Sequence, residues 1–389
     1  MRREKDGATL APRLGSPPME LVPLLRSLIA IDSTSTRSNL PVLDLLERDA
    51  RALGFETRRQ SWLDASGVEK GNLVCRRGPE AGGGLALVGH SDCVPFDPAW
   101  EEALTGAERD GRIYGRGAAD TKGFLAAALV AASRSRPARL PLTLLFTADE
   151  EIGCLGAKRL LAEGRVHPRH AIVGEPTSLT PVRAHKGYCA VEVVLTGLEG
   201  HSAYPEVGAS AIHAAGRLFP ELEKIGEALR GESDGAFSPP HTTWNVGVIQ
   251  GGKARNIIAG ECRFTYEWRP IPGQDPRKAL RLLEDACARL AASSGGRVQV
   301  EVTPLRTDAA AVTPAEAEIV RFLQAESGNA ATTVPFGTEL PEVIGLGAEA
   351  CVFGPGDIRV AHRTGEYVEV AQLEQAAAIL TRAIERFCG

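Results

Sequence analysis

Residues 85–174 contain, in order, LALVGH (85–90), TKGFLAAALVAASR (121–134), LTLLFT (142–147), LGAKRLLAEG (155–164) and HAIVG (170–174). The three short runs are almost wholly apolar, which is typical of strands buried on both faces, and the two longer runs have helical periodicity. Strands that alternate with helices in this way form a mostly parallel sheet with helices on both faces. This stretch therefore predicts an α/β domain.

The same domain continues on both sides of this stretch. LVPLLRSLIAI (21–31) and LPVLDLLERDARALG (40–54) have helical periodicity, and Gly54 stands where a helix C-cap is expected. Near the other end, CVFGPG (351–356) predicts a late strand and VAQLEQAAAILTRAIERF (370–387) predicts a closing helix. The chain thus returns to the first domain after its middle region.

The middle of the chain has a different pattern of elements. Its candidate strands and helices are YCAVEVVLTG (188–197), SAIHAAGRLFPELEKI (210–225), TWNVGVIQ (243–250), ECRFTYEWR (261–269), PRKALRLLEDACARLAA (276–292) and RVQVEV (297–302). The order is β-α-β-β-α-β, which is a split βαβ module of the ferredoxin type. We expect an inserted α+β domain at 183–293, with the first domain formed by 1–182 and 294–389.

The composition is that of a soluble globular protein. Of the 389 residues, 43% are hydrophobic and 24% are charged, and the net charge of -5 gives no basic surface for nucleic acid. Residues 1–18 lack the apolar run of a secretory signal and are expected to be disordered, and no segment has the roughly 20 apolar residues of a membrane span. Eight scattered cysteines without a CxxC pair suggest reduced thiols and a cytoplasmic location.

Polar side chains that can bind a hard cation follow several of the predicted strands. They are His90, Asp92, Asp120, Glu150, Glu151, Glu175 and His362. Ligands of open α/β sheets bind outside the carboxyl ends of the strands, so we expect these side chains to converge. Imidazole and carboxylate together suit zinc, and a carboxylate such as Asp120 can bridge two ions in a two-metal hydrolase.

Neighbouring residues in this set can have different roles, one as a metal ligand and the other in support of a ligand or in proton transfer. Asp92 lies two residues after His90 and can support an imidazole while His90 binds metal. Of the adjacent pair Glu150 and Glu151, one can coordinate metal while the other accepts a proton from water. Each residue alone also has a simpler interpretation, since a single histidine is usually hydrogen-bonded in the core and acidic residues often precede helices. Their joint occurrence at separate strand ends favours the metal site.

The motifs resemble a family of di-zinc metallohydrolases that contains acetylornithine deacetylase, succinyl-diaminopimelate desuccinylase, aminoacylases and glutamate carboxypeptidases. The segments that carry the resemblance are GHSDCVP, YGRGAADTKGF, TADEEIG, VGEPT, GHSAYPEVGASAI, NVGVIQGGKARNIIAGECRFTYEWRPIPG, and GPGDIRVAH followed by GEY. They cover nearly the whole chain after about residue 20. The resemblance implies a zinc-aminopeptidase-like catalytic domain with an inserted ferredoxin-like lid and dimerisation domain.

The resemblance also implies roles for individual residues. It assigns one zinc to His90 and Glu175, a second to Glu151 and His362, the bridge to Asp120, support to Asp92, the general base to Glu150, the oxyanion contact to His201, and substrate binding to Arg269, Asn256 and Thr338. His201 lies in the inserted domain, which in this family often belongs to the partner subunit. Arg269 could also be an ordinary charge at a strand end.

The resemblance implies hydrolysis of an N-acyl amino acid with two divalent metal ions, zinc or alternatively cobalt, in a homodimer formed through residues 183–293. The end of the chain resembles the acetylornithine branch most, which predicts conversion of N-acetylornithine to ornithine and acetate in arginine biosynthesis. Alternatives are a succinyl-diaminopimelate desuccinylase, an acetylcitrulline deacetylase and a metallo-carboxypeptidase or dipeptidase. A catalytically silent binding homologue is the alternative outside enzymes.

Overall fold

The computed structural model describes residues 19–80, 82–135 and 139–389, so the expected disorder of residues 1–18 lies outside the described residues. The chain forms two compact units. The first contains residues up to 181, 321–329 and 343–389, and the second contains 182–320 and 330–342.

The helices and strands of the described residues are as follows. The helices are α1 (Leu21–Ile29), α2 (Leu40–Ala52), α3 (Lys122–Arg134), α4 (Leu155–Glu163), α5 (Ala211–Arg230), α6 (Lys278–Ser293), α7 (Glu318–Ser327), α8 (Leu340–Gly345) and α9 (Val370–Cys388). The strands are β1 (Glu56–Leu63), β2 (Glu69–Arg77), β3 (Leu85–His90), β4 (Ala107–Arg109), β5 (Arg112–Tyr114), β6 (Leu142–Thr147), β7 (His170–Val173), β8 (Val182–His185), β9 (Tyr188–Thr196), β10 (Gly200–His201), β11 (Thr243–Gly251), β12 (Ile257–Ile258), β13 (Glu261–Arg269), β14 (Gln299–Asp308), β15 (Ala311–Val312), β16 (Thr332–Val334), β17 (Glu349–Val352) and β18 (Tyr367–Glu369).

The sheet of the first unit has the strand order β1-β2-β6-β3-β7-β17. β3 is parallel to β6 and β7, and β17 is parallel to β7. β1 and β2 add an antiparallel edge. All residues of β3, β6 and β7 are buried, which explains their nearly uninterrupted apolar sequences. The mostly parallel sheet predicted from this alternation is confirmed.

Helix α3 packs closely against this sheet because its sequence is rich in alanine. Residues 122–132 of the helix are all buried, and five of them are alanine. Helices α1 and α9 contact α3 and complete one layer of the unit. A helix that is apolar on all sides belongs in a protein interior, and α3 therefore anchors the loop that precedes it.

The second unit contains an antiparallel sheet with the order β11-β13-β9-β14. Along the chain the elements follow as β9, α5, β11, β13, α6 and β14, which is the order expected from the sequence. Alternate side chains of β9 and β13 face α5 and α6, and they form one apolar cluster with these helices. A further strand of this unit, β8, pairs with β15 and β16.

The structure corrects one boundary of the expected inserted domain. An end at residue 293 would leave out β14, which pairs with β9 from Gln299 to Asp308. The hydrogen-bonded strand cannot be separated from its sheet, so the unit extends beyond β14. The whole compact unit also includes residues 330–342.

All eight cysteines are buried and carry free thiols. Within residues 19–80, 82–135 and 139–389, no helix is both long enough and apolar enough to cross a bilayer.

Candidate metal centre

The seven polar residues expected at the strand ends all belong to the first unit. His90 is the last residue of β3, the pair Glu150 and Glu151 follows β6, and Glu175 follows β7. Because β3 is parallel to both of its neighbours, these strands end at the same edge of the sheet. Asp120 comes from the loop before α3, and His362 follows a short 3-10 turn at Ile358–Val360.

Five of these residues form two groups of possible metal ligands. One group contains His90, Asp120 and Glu175, and the other contains Asp120, Glu151 and His362; within each group the donor atoms lie within 4.8 Å of one another. Asp120 belongs to both groups. Its Oδ1 lies 3.0 Å from Nε2 of His90, and its Oδ2 lies 2.9 Å from Nε2 of His362.

The donors fit a pair of divalent cations. Each group combines one imidazole with two carboxylates, which is a donor set suited to zinc. A carboxylate whose two oxygens face different groups can bridge two ions, as in two-metal hydrolases. The geometry thus agrees with the ligand set expected from the sequence, whose assignment as ligands stays a prediction.

The protonation of the site reflects many acids gathered in a buried space. Burial alone would lower the pKa of His90, but hydrogen bonds to Asp120 and Asp92 raise it well above its usual value. Hydrogen bonds to Asp120 and Glu151 raise the pKa of His362 to about 10.

The carboxylates of the site divide into two kinds. Burial and the nearby charge of Asp120 raise the pKa of Glu151 and of Glu175. Burial opposes ionisation of Asp120 as well, yet its hydrogen bonds to His362 and His90 lower its pKa. The protonated imidazoles thus offset the repulsion among the clustered carboxylates. Divalent cations bound between the same side chains would replace those protons and offset the same repulsion.

Asp92 contacts His90 through its backbone oxygen and, at a longer distance, through its carboxylate. Nδ1 of His90 lies 3.0 Å from the main-chain oxygen of Asp92 but 3.7 Å from its carboxylate. The carboxylate also accepts hydrogen bonds from Ser35 Oγ (2.8 Å) and from the backbone N–H of Glu150 (3.1 Å). The backbone of Asp92 thus orients the imidazole, because an Nδ1–H donated to a carbonyl leaves Nε2 facing Asp120.

The adjacent pair Glu150 and Glu151 is used in two different ways. The carboxylate of Glu151 contacts Nε2 of His362 at 3.2 Å, within the second donor group. Glu150 belongs to neither donor group; it is 8% exposed, and its Oε1 accepts a hydrogen bond from Sγ of Cys154 at 3.6 Å. The roles expected for them, Glu151 as a ligand and Glu150 as a proton acceptor, stay predictions.

Several buried polar residues beside the site have no recognisable signal in the sequence. Lys70 and Asp149 form a completely buried ion pair of 2.9 Å, and Nζ of Lys70 also donates to the main-chain oxygen of Ser35. Asp149 has a left-handed backbone with φ of 57° and directly precedes Glu150. Glu366 is a fully buried acid in the GEY segment. Nothing local distinguishes these residues from surface charges, because their partners are distant in sequence.

The four remaining candidate residues belong to the second unit. His201 is exposed at the end of β10, and Asn256 lies beside it because the N–H of Ser202 donates to the main-chain oxygen of Asn256 at 3.1 Å. The guanidinium of Arg269 lies 3.5 Å from the ring centroid of Tyr188.

Thr338 is buried, and its hydroxyl accepts a hydrogen bond from the backbone N–H of Leu340 at 3.1 Å. This hydrogen bond holds the turn that leads into α8. A methyl group on the neighbouring Gly337 would lie 3.9 Å from Cβ of Tyr188. This segment therefore lies close to the residue whose ring contacts the guanidinium of Arg269. The substrate contacts expected for His201, Asn256, Arg269 and Thr338 stay predictions.

Comparison with known proteins gives consistent results. The sequence profile of peptidase family M20/M25/M40 matches residues 86–386. An acetylornithine deacetylase of Myxococcus xanthus is 54% identical over 368 residues, which cover 94% of this chain and 97% of the relative. An acetylornithine deacetylase of Proteus mirabilis (strain HI4320) is 35% identical over 367 residues, covering 93% and 94%.

Solved structures show the same fold at lower identity. A tripeptidase from Staphylococcus aureus superposes with a TM-score of 0.75 at 22% identity, covering 94% of this chain and 97% of the tripeptidase. An M20 family metallo-carboxypeptidase from Sulfolobus solfataricus gives 0.74 at 18% identity, covering 94% and 98%.

Proposed function

The chain belongs to peptidase family M20/M25/M40, and from this premise we propose that it hydrolyses N-acetylornithine to ornithine and acetate. The chain is a metal-dependent amidohydrolase by family, and two relatives that match it over more than nine-tenths of its length are named acetylornithine deacetylase. The observation that carries the chemistry is the sharing of Asp120 between two groups of donors. Water adds to the acetyl carbonyl, and the C–N bond breaks.

We propose that His90 and Glu175 hold one divalent ion, that Glu151 and His362 hold the other, and that Asp120 bridges them. Zinc is the metal that this donor set favours, and cobalt is an alternative. When bound, the ions would polarise the amide carbonyl and lower the pKa of water at the site toward about 7.

In this mechanism Glu150 moves the proton. Its carboxylate takes a proton from water as the oxygen attacks the carbonyl carbon, and it then returns the proton to the departing amine. The hydrogen bond from its backbone N–H to Asp92 fixes the turn that carries it. His201 donates to the oxyanion, and Arg269, Asn256 and Thr338 bind the amino-acid part, with the Arg269 guanidinium matched to the α-carboxylate.

We further propose a cytoplasmic homodimer that works in arginine biosynthesis. Eight buried free thiols are compatible with a reducing compartment. Strand β11 lies at an edge of the sheet of the second unit and exposes Val248 (54%) and Ile249 (50%). An open edge strand with apolar side chains can pair with the same strand of a second copy.

The assignment is tested by a substrate panel with the zinc-loaded and cobalt-loaded protein. We expect the highest kcat/KM with N-acetylornithine, compared with N-succinyl-diaminopimelate, N-acetylcitrulline and dipeptides. A higher kcat/KM with a succinyl or peptide substrate would replace the proposed reaction by that one. A protein that binds fewer than about one divalent ion per chain and hydrolyses nothing would be a silent homologue.

The role of Glu150 is tested by Glu150→Ala. We expect both metals to remain bound while turnover falls about 10²- to 10⁴-fold, because only the proton acceptor is lost. Metal content by mass spectrometry and turnover are measured on the same preparation. A metal-replete variant with native turnover would remove Glu150 from this role.

A further inference from the structure

Glu366 has a completely buried carboxylate that belongs to neither donor group. It lies four residues after His362 in the sequence, in the turn before β18. A buried carboxylate is costly unless its oxygens are fully hydrogen-bonded. The hydrogen-bond partners of Glu366 therefore indicate its role.

Among the residues that the structure describes, this carboxylate accepts its four hydrogen bonds from the loop that ends at Asp120. Oε1 accepts from the backbone N–H groups of Ala119 (3.0 Å) and Asp120 (3.1 Å). Oε2 accepts from the backbone N–H of Gly117 (3.1 Å) and from Nη1 of Arg116 (2.6 Å). Four donors of this loop thus converge on a single carboxylate.

The main chain of Glu366 holds the same loop from its other end. Its carbonyl oxygen accepts a hydrogen bond from the backbone N–H of Gly115 at 3.0 Å. Gly117, whose N–H donates to the carboxylate, has a φ of 81°, a left-handed conformation that glycine adopts without steric cost. Arg116 is 4% exposed and supplies the positive charge that balances the buried acid.

We propose that Glu366 is a positioning residue for the bridging carboxylate of Asp120. The carboxylate of Glu366 fixes the backbone of Asp120 by accepting a hydrogen bond from the N–H of Asp120. Glu366 also belongs to the segment that supplies His362. The carboxylate of Glu366 thereby connects Asp120, the proposed ligand of both ions, to the segment that carries His362, a proposed ligand of the second ion. This inference rests on the proposed metal centre and is independent of which amide is hydrolysed.

The isosteric variant Glu366→Gln tests this role. A glutamine keeps the volume but has one accepting oxygen, so either the pair Ala119 and Asp120 or the pair Gly117 and Arg116 loses its acceptor. We expect metal affinity to fall about 10- to 100-fold, as for other groups that orient ligands from outside the coordination sphere. We also expect turnover to recover when metal is added in excess.

Two measurements separate positioning from a general structural role. Metal affinity is titrated without substrate, so that a wrong substrate assignment leaves the result intact. Hydrogen exchange of the metal-free protein then follows the amides of Gly117, Ala119 and Asp120, which should lose protection in Glu366→Gln. Loss of global stability with native metal affinity would assign Glu366 to stability alone and overturn the proposal.

The matched control is Glu369→Gln, three residues further along. Glu369 is also an acid paired with an arginine, at 3.3 Å from Arg112, but the pair is at the surface. We expect its metal affinity to be native. If Glu366→Gln does not fold, Glu366→Asp decides the question, because it keeps the charge beside Arg116 and withdraws the oxygens by one methylene. Native metal affinity in a folded Glu366→Asp protein would equally overturn the proposal.

Discussion

At the scale of single residues, the two carboxylate oxygens of Asp120 face different imidazoles, 3.0 Å from His90 and 2.9 Å from His362. The other candidate ligands each belong to one donor group only. Loss of a shared ligand should therefore have a different consequence from loss of an unshared one. This difference is measurable as the number of metal ions that remain bound.

We expect Asp120→Asn to lose tight binding of both ions and Glu175→Gln to weaken only one. The physical reason is that the neutral amide of asparagine is a poor bridging ligand, whereas Glu175 serves a single group. Metal content is measured after gel filtration. Asp110→Asn, at an exposed turn, is the control and should keep both ions. Two tightly bound ions in Asp120→Asn would contradict the bridge.

The buried imidazole of His185 should make the stability of the protein depend on pH. This residue is fully buried, and burial lowers its pKa to about 4, although a contact of 2.8 Å to the carbonyl of Lys186 acts in the opposite direction. The unfolded chain takes up a proton near pH 6.5 and the folded chain only near pH 4, so folding is favoured above pH 6.5 and loses this contribution as pH falls. The loss should amount to roughly 3 kcal/mol.

The variant His185→Gln, which cannot titrate, should show a shallower fall of unfolding free energy between about pH 7 and pH 4. Chemical denaturation at several pH values provides the measurement. His213→Gln is the control because His213 is exposed on α5. The same pH dependence in His185→Gln and in the unmodified protein would show that His185 is not the source.

At the scale of elements, the close approach of α3 to the sheet depends on glycine. A methyl group on Gly174, just after β7, would lie 2.1 Å from Cδ1 of Phe124 on α3. A methyl group on Gly89 in β3 would lie 2.8 Å from Leu125. The strands that supply His90 and Glu175 therefore have glycine directly before the functional residue, where the helix leaves no room for a side chain.

We expect Gly174→Ala to destabilise the protein by about 1–3 kcal/mol through overpacking, and to lower metal affinity because Glu175 is displaced. Gly216→Ala is the opposite case. Gly216 lies inside α5, and no atom beyond its chain neighbours and the nearby backbone of its own helix lies within 4 Å of an added methyl group, so we expect a gain of about 0.5–1 kcal/mol. Denaturant unfolding measures both. Equal effects of the two substitutions would contradict the packing argument.

At the scale of the whole molecule, the outer strands of the two sheets differ in their side chains. In the second unit, β11 is an outer strand that exposes Val248 and Ile249. In the first unit, β1 is also an outer strand, but it carries ETRRQSWL, with Leu63 exposed at its end. A strand rich in charges discourages pairing between copies, whereas an apolar edge favours it.

We expect Ile249→Lys to weaken the proposed homodimer by about tenfold or more without unfolding the chain, because a charge replaces an apolar contact at an interface. Light scattering coupled to gel filtration measures the mass as a function of concentration. Leu63→Lys is the matched control on the edge strand of the other unit. A native dimer in Ile249→Lys would move the interface elsewhere, and a monomeric unmodified protein would remove the dimer altogether.

The sequence alone determined the elements whose character is local. β3, β6 and β7 are buried on both faces and were recognisable as apolar runs, and α5 and α6 were recognisable by their helical period. The candidate ligands were found because strand ends in an α/β sheet have a known place. β1 was not found, since its partly exposed, charged residues give no alternating apolar signal.

Only the tertiary structure decided the contacts between distant segments. The carboxylate of Glu366 binds the N–H of Asp120 across 246 residues, and Lys70 reaches Asp149 across 79. The structure also shows that Nδ1 of His90 lies closer to the backbone oxygen of Asp92, at 3.0 Å, than to its carboxylate, at 3.7 Å. Periodicity records which face of an element is apolar, because that depends on neighbours along the chain. The partner of a buried charge depends on how separate elements pack, and no local pattern contains that information.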